Sequence, residues 1–547
     1  MNDTSWMRDS QRVLLLSSLC LVLYLPALGN RDLWGTVETE YAQVAREALH
    51  STSWGWLVPH FNGDPYNEKP PLYFWLIALA SMPVGDVTEF TARLPSALAA
   101  LGTVIVVYFL GKALLNERAG LLASLILLSS PGFFRSACMV RIDMSVAFFF
   151  TLSLASFYVG LATSRRQGHS RQKRWLFLLG WFSAALSCLA KGPIYPLIIA
   201  LTLSSYMVFR KELHRLKETL PLLGALVFFG TMGLWCIPVY FKAGPYLKGL
   251  FDWGVWYLKE EEYHVESFYF YLPQFLVSMA PWSIFIPLAL YAYYKETRDG
   301  EQGTGDRKTV IPVPRSLFPV FWLLVGLIAF SLLSTKHSRY ILFLYPAGAL
   351  MVAQIWEGYW AKSPPLWPWQ KCLPVLIIAT LTGVVVALFV GERLPYPALG
   401  LSLVVAGMLI ALYLAYRASQ VRLLFGVILL VLSVCQAIYY QFLLPLQNNA
   451  NSDRPLCQKL LGIMEPGAKW AVYKYYRPSF TYYTHTFPGN IYMEEHLTAL
   501  LSSREKVYCL LGEADYRGLG SSVYKVAEIP NPREKGPPSF VLVSNRP

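Results

Sequence analysis

Charge is scarce in this sequence, and so are the signatures of soluble enzymes. Asp, Glu, Lys and Arg make up 15% of the 547 residues against 55% hydrophobic residues, a balance that excludes an ordinary soluble domain and fits a polytopic membrane protein. There is no P-loop, dinucleotide fingerprint, HExxH or paired CxxC, so no motif offers a nucleotide or a metal site of high specificity. The basic residues come in short, scattered runs, each beside an apolar stretch, and the net charge of +13 therefore does not describe a nucleic-acid surface. Charges are missing from the depth of the apolar stretches and no internal repeat is evident, which argues against a transporter. The first apolar run lacks a convincing small-residue cleavage site and is expected to remain as an anchor.

Long apolar runs are what the sequence has in abundance. Windows near 12–28, 90–112, 117–131, 143–162, 175–190, 193–209, 218–238, 270–292, 315–333, 340–357, 372–390, 396–416 and 422–441 predict about thirteen transmembrane helices. The stretch 71–84 is too short and too close to a Pro pair, and reads as interfacial. Lys and Arg gather in 164–174, 210–217, 294–315 and 416–422, which puts these loops and the N-terminus inside. The odd span count places the C-terminus outside.

After residue 441 short apolar runs alternate with Pro, Gly and Asn turns, predicting a small extracytoplasmic α/β domain over 442–547 behind a membrane domain over 1–441. Cys457 and Cys509 could pair there in an oxidising compartment, whereas the other cysteines lie in or beside spans. The predicted fold class is thus a polytopic α-helical membrane protein with a small C-terminal α/β domain.

Sorting the polar loops by side gathers the chemistry on the outer face. The first outer loop (29–89), the turn 133–143, the Lys-Gly-Pro at 191–193, the long loop 239–269 and the segment 334–340 hold Glu38, Glu68, Lys69, Arg135, Arg141, Asp143, Lys191, His264, Lys336 and Arg339. Nucleotide sugars and ATP are absent from that side, so a donor must arrive in the lipid. Carboxylates beside cations suit glycosyl transfer from a lipid phosphate: a carboxylate takes the acceptor proton, and cations hold the charge growing on the departing phosphate.

The runs DLWGTVETEYAQVAREAL, VPHFNGDPYNEKPPLYFW, VRIDM, LAKGP and SLLSTKHSRYILFLYPAGAL, in this order over roughly residues 10 to 360, resemble the motif series of GT-C glycosyltransferases related to protein O-mannosyltransferases, and most closely the branch of the lipid A aminoarabinose transferase. The resemblance implies a sugar moved from a polyprenyl phosphate to an acceptor at the outer face, usually with inversion. The chain departs from that pattern at one position. Where many relatives carry Asp-Glu before the Tyr-Ala helix, it has Val37-Glu38, so Glu38 and Asp143 are the candidates for the catalytic base. The resemblance implies donor-phosphate contacts from Lys69 and a divalent metal ion held by Glu68 and His264. Arg141, Lys191, Lys336 and Arg339, with Tyr340, complete the candidate phosphate site.

Each residue also has a plainer reading. Thr36 could cap a helix over 37–49, with Glu38 and Glu40 favouring its dipole by about 0.3 to 1 kcal/mol each. Asp143 could be a helix cap, whereas in the functional reading Arg141, two residues earlier, keeps it ionised. Lys69 could snorkel while Pro70 and Pro71 turn the chain, and Lys191 could mark a helix end before Gly192-Pro193. Lys336, Arg339 and Tyr340 form a cationic edge that runs against the positive-inside trend. The acidic stretch around His264 reads as a solvated loop. The function these readings predict is a membrane glycosyltransferase with a polyprenyl-phosphate donor and an envelope lipid, glycan or protein acceptor. The alternative is a flippase of lipid-linked sugars without transferase activity.

Overall fold

The computed structural model describes residues 3–51, 53–167, 171–259, 266–301, 317–362, 421–519, 523–531, 533 and 537–547. The chain divides into two compact units. One comprises Met1–Pro26, Asn67–Tyr73 and Leu94–Tyr439; the other comprises Ala27–Tyr66, Phe74–Arg93 and Tyr440–Pro547.

The first unit is helical. Among the described residues, Arg8–Ala27, Glu89–Leu114, Ile142–Ala162, Pro221–Asp252, Ser338–Gly358 and Arg422–Asn451 are long and apolar enough to cross a membrane, giving 6 spans, or up to 8 if each of two bent helix pairs counts as one. This is a multi-pass membrane architecture. The windows 372–390 and 396–416 lie outside the described residues. Two other windows form Ile194–Phe209 and Phe318–Ser331, apolar but shorter than a full span, and 71–84 forms the helix Leu72–Ser81. At about 1.5 Å per residue that helix is only about half as long as the hydrocarbon layer is thick.

Window 117–131 is broken. Glu117–Ser129 and Pro131–Ala137 meet at 69°, because Ser130 is extended (φ −68°, ψ 126°) before Pro131, which opens the second helix. A proline pushes the residue before it out of the helical region and is at home in a first turn. The long loop expected over 239–269 is largely helical instead. Pro221–Lys259 runs through it with one interruption at Ala243 (φ −145°, ψ 50°), between Pro238 and Pro245. Pro245 has no N–H for the helix ladder, so the ladder breaks in the preceding turn and resumes.

Small residues let these helices approach closely. A Cβ on Gly111 would sit 2.7 Å from the Gly120 Cα, and one on Gly160 would sit 2.6 Å from the Phe177 ring. Such close backbone approach is how helices pack where lipid supplies no hydrophobic drive. Ile142–Gln167 and Arg171–Lys191 pack antiparallel in this manner, with the Ser153 hydroxyl donating to Gly180 O at 2.8 Å. The first turn of one therefore lies beside the last turn of the other.

The second unit contains the short antiparallel pair β1 His60–Phe61 and β2 Asp64–Pro65, and a mixed sheet of β3 Lys469–Tyr473, β4 Gly489–Ile491, β5 Val507–Gly512, β6 Tyr524–Pro530 and β7 Ser539–Ser544, five strands in the order β4-β3-β5-β7-β6. The pairs β3–β4 and β3–β5 are parallel, and β5–β7 and β6–β7 are antiparallel. Alternate side chains of β3, β5 and β7 feed two cores on opposite faces. Val472, Tyr508, Leu510 and Phe540 pack with the helix Arg454–Ile463, while Ala471, Tyr473, Leu511 and Val541 pack with Leu497. This decides the disulfide that the sequence left open. Cys457 belongs to the first core and Cys509 to the second, and both are free. The sheet lies between them, and burial pushes the Cys509 thiol up to about 12.

Candidate active site

In the first unit, the antiparallel helix pair brings two predicted residues together. Asp143 lies in the first turn of Ile142–Gln167 and Lys191 in the last turn of Arg171–Lys191. Each end suits the charge it carries, an acid at a helix N-terminus and a base at a C-terminus. The Lys191 ammonium donates to Asp143 Oδ1. Among the described residues Lys191 is the one side chain that hydrogen-bonds the Asp143 carboxylate, so Oδ2 keeps its lone pairs. Gly192, at φ +127°, turns the chain immediately after Lys191, a conformation that excludes most other residues. The helix-end reading of Lys191 and its pairing with Asp143 hold together.

Lys191 Nζ also lies 3.9 Å from the centroid of the Tyr340 ring, and the Arg339 guanidinium carbon lies 5.9 Å from that same centroid. The charges of Arg339 and Arg141 act on Asp143, and those of Arg339 and Lys69 act on Lys191. Lys69 Nζ donates to Glu68 O at 3.0 Å. One carboxylate, four basic side chains and an aromatic face are thus collected from separate stretches of chain. Such a set can bind a phosphate and place a proton acceptor beside it.

Lys336 has a different setting. It is buried, and its ammonium donates to Glu266 O at 2.8 Å and Ser334 O at 3.5 Å. A lysine held by backbone carbonyls ties two segments together, a role that residue type and side of the membrane could not reveal. His264 lies outside the described residues, and so does any pairing of it with Glu68. Among the described residues no group of three His, Cys, Asp or Glu side chains could hold a metal ion.

In the second unit, Glu38 sits in an ion cluster. The helix that carries it is Gly35–His50, and its N-cap is Trp34, with no side-chain cap. Thr36 is therefore not the cap. Gly35, at φ +69°, makes the turn into the helix, and Trp34 N donates to Glu38 Oε2 at 3.1 Å. Arg31 Nη2 reaches Glu38 Oε1 at 3.1 Å, and Arg93 reaches Oε1 through Nε at 3.3 Å and Oε2 through Nη2 at 3.2 Å. Arg93 Nη1 also donates to Leu28 O at 2.7 Å and Arg31 O at 2.6 Å, and Nη2 to Asp32 O at 2.7 Å. All three charged groups are buried, at 2%, 2% and 0% exposure for Arg31, Glu38 and Arg93. Burial, then the like charge of Arg93, brings the Arg31 guanidinium down to about 10.

Both Glu38 oxygens accept charge-assisted bonds, so protonation there would break them. Glu40 accepts from the Tyr66 hydroxyl, and Asp32 pairs with Arg454 at 3.1 Å. Both acids have structural partners. Sequence reasoning missed Arg31 and Arg93. The available signal was Arg93 itself, a charge set just ahead of a long apolar run with no loop around it.

Residues 68–235 match the family of dolichyl-phosphate-mannose-protein mannosyltransferases. The undecaprenyl phosphate-alpha-4-amino-4-deoxy-L-arabinose arabinosyl transferase of Aeromonas salmonicida (strain A449) is 28% identical over 341 residues, covering 61% of this chain and 58% of that protein. The protein of the same name from Pseudomonas aeruginosa (strain UCBPP-PA14) is 30% identical over 342 residues, covering 60% and 57%. The aligned part thus spans less than two thirds of these relatives. Among solved structures, ArnT from Cupriavidus metallidurans in the apo state superposes with a TM-score of 0.76 at 19% identity, covering 99% of this chain and 98% of that one. Its complex with undecaprenyl phosphate gives the same TM-score, with 100% and 98% coverage. At that identity the likeness speaks for the fold, and it bears out the GT-C architecture expected from the motif series. The chain therefore has the fold of ArnT, and its residues 68–235 are similar to the dolichyl-phosphate-mannose-protein mannosyltransferases.

Proposed function

We propose that this chain is an integral-membrane glycosyltransferase that takes a sugar from a polyprenyl-phosphate donor and places it on a cell-envelope acceptor, lipid A before other glycans or protein. The reaction is assigned to the outer face of the inner membrane, with the N-terminus cytoplasmic and the C-terminal domain periplasmic. The observation that carries the reading is the Asp143–Lys191 pair, with Arg141, Arg339 and Lys69 acting on it and Tyr340 beneath the ammonium. The names of the relatives supply the donor class.

In this mechanism Lys69, Lys191, Arg141 and Arg339 receive the donor phosphate. Asp143 Oδ2 takes the proton of an acceptor hydroxyl as its oxygen bonds to the anomeric carbon. The anomeric C–O bond breaks, its electron pair stays on the phosphate oxygen, and polyprenyl phosphate leaves with inversion at the sugar. The cations are fixed before the charge develops, so they act on the transition state with little reorganisation. Glu38 holds the first-loop turn and takes no part in proton transfer.

The test is an assay of purified protein with a polyprenyl-phosphate aminosugar and lipid A, read as free polyprenyl phosphate and as mass added to the acceptor. Both products are expected. Tight donor binding with no turnover against lipid, peptide and glycan acceptors, together with donor movement between leaflets of proteoliposomes, would favour the flippase instead. Within this reading Lys69→Ala is expected to cut turnover by about a hundredfold or more, the scale of about 2.7 to 4 kcal/mol for one lost transition-state contact. Its unfolding midpoint should hardly move, since a lysine near the surface contributes little to stability. Normal turnover in that variant would return Lys69 to the snorkelling role.

A further inference from the structure

We propose that Ser96 is a positioning residue for the Asp143 carboxylate, acting through both backbone groups of Arg141. The inference rests on the reading of Asp143 as proton acceptor. Ser96 lies in the helix Glu89–Leu114 directly after Pro95 and is fully buried. Its Oγ donates to Arg141 O at 3.2 Å and accepts from Arg141 N–H at 3.1 Å. The hydroxyl of Tyr73, also fully buried, lies 2.8 Å from Ser96 Oγ. The proton count has one solution. A serine hydroxyl has a single proton, here given to Arg141 O, so the Tyr73 hydroxyl donates to Ser96.

The consequence is geometric. Holding the N–H and the C=O of one residue fixes the peptide planes on both sides of it, and therefore its φ and ψ. Arg141 O also accepts Met144 N–H at 3.1 Å, closing the first turn of the helix that carries Asp143. Ser96 thus sets where that helix begins and where its second residue projects. Tyr73 stands four residues after Lys69, beyond Pro70 and Pro71. One buried hydroxyl therefore ties the turn bearing Lys69 to the turn bearing Asp143. A methyl group at position 96 would fill nearly the same volume and keep none of these bonds.

The experiment is a double-mutant cycle on the full chain, with kcat and donor KM measured separately. Ser96→Ala should lower kcat by about ten- to a hundredfold, the scale of small misplacements in an active site, while donor KM changes by less than about threefold, because Lys69, Lys191 and Arg339 still hold the phosphate when the Arg141 turn shifts. In an Asp143→Asn background, Ser96→Ala should lower the residual kcat no further, since the carboxylate it positions is gone. A purely structural serine would cost the same factor with and without Asp143, and that result would overturn the proposal. So would a wild-type kcat in Ser96→Ala. If the alanine variant fails to fold, Ser96→Cys keeps the shape with weaker hydrogen bonds and carries the same comparison. Full turnover in Asp143→Asn alone would overturn the reading of Asp143 itself. Loss in Asp143→Asn with normal turnover in Ser96→Ala would overturn only the role of Ser96.

Discussion

Arg93→Met is expected to destabilise the folded protein by about 3 to 5 kcal/mol, the usual cost of removing one partner from a buried ion cluster. The substitution keeps much of the apolar stem and removes the fork. Glu38 would lose one of its two arginines, and the carbonyls of Leu28, Arg31 and Asp32 would lose a donor they share. Unpaired buried acceptors cost more than the lost bonds themselves. Arg93→Lys should fall between wild type and Met, because a single ammonium cannot reach all the acceptors that a planar fork serves. The measurement is unfolding in detergent by heat or denaturant, followed by tryptophan fluorescence. An unchanged midpoint in Arg93→Met would show that the cluster contributes little to the fold.

That cluster also marks how far the sequence could be read. The apolar windows and the ordered motifs announced a polytopic GT-C fold, and both candidate ends of the Asp143–Lys191 pair were visible as separate residues. Their pairing was not, because it depends on two helices lying antiparallel across 48 residues of sequence. Glu38 looked reactive for a related reason. It stands within a motif that the chain resembles, whereas the arginines that neutralise it lie 7 and 55 residues away.

The long loop 239–269 was misjudged because its lysines, acids and aromatics lower the apolar signal, while Pro245 interrupts the helix without ending it. Hydropathy likewise reads along the chain and cannot foresee that residues 27–66 and 74–93 share a compact unit with 440–547. The cysteines follow the same logic. Both lie in the C-terminal region where the sequence left a disulfide open, but alternation along β5 and the docking of Arg454–Ile463 put them on opposite faces of one sheet.

Asp143→Asn is expected to lower turnover by about a hundredfold or more, the scale of losing a general base. The amide keeps the size of the side chain and can still accept from Lys191, so donor binding should persist while proton removal fails. Lys191→Met should behave differently. It removes a cation from the phosphate site and leaves Asp143 without its hydrogen bond, so donor affinity and kcat should fall together. Wild-type kcat in Asp143→Asn at saturating donor would mean that another group, or the substrate, accepts the proton.

The assignment of the reaction to Asp143 and of Glu38 to the scaffold meets its most direct test in Glu38→Gln, with turnover at saturating donor expressed per folded molecule. The substituted amide would keep an acceptor for Trp34 N–H and the size of the side chain, while losing the charge that two buried arginines share. The yield of folded protein should drop, yet the folded fraction should turn over within about threefold of wild type, because the proton acceptor is intact. A loss of about a hundredfold in that fraction, the general-base scale, would contradict the assignment and move the catalytic base back to the first loop.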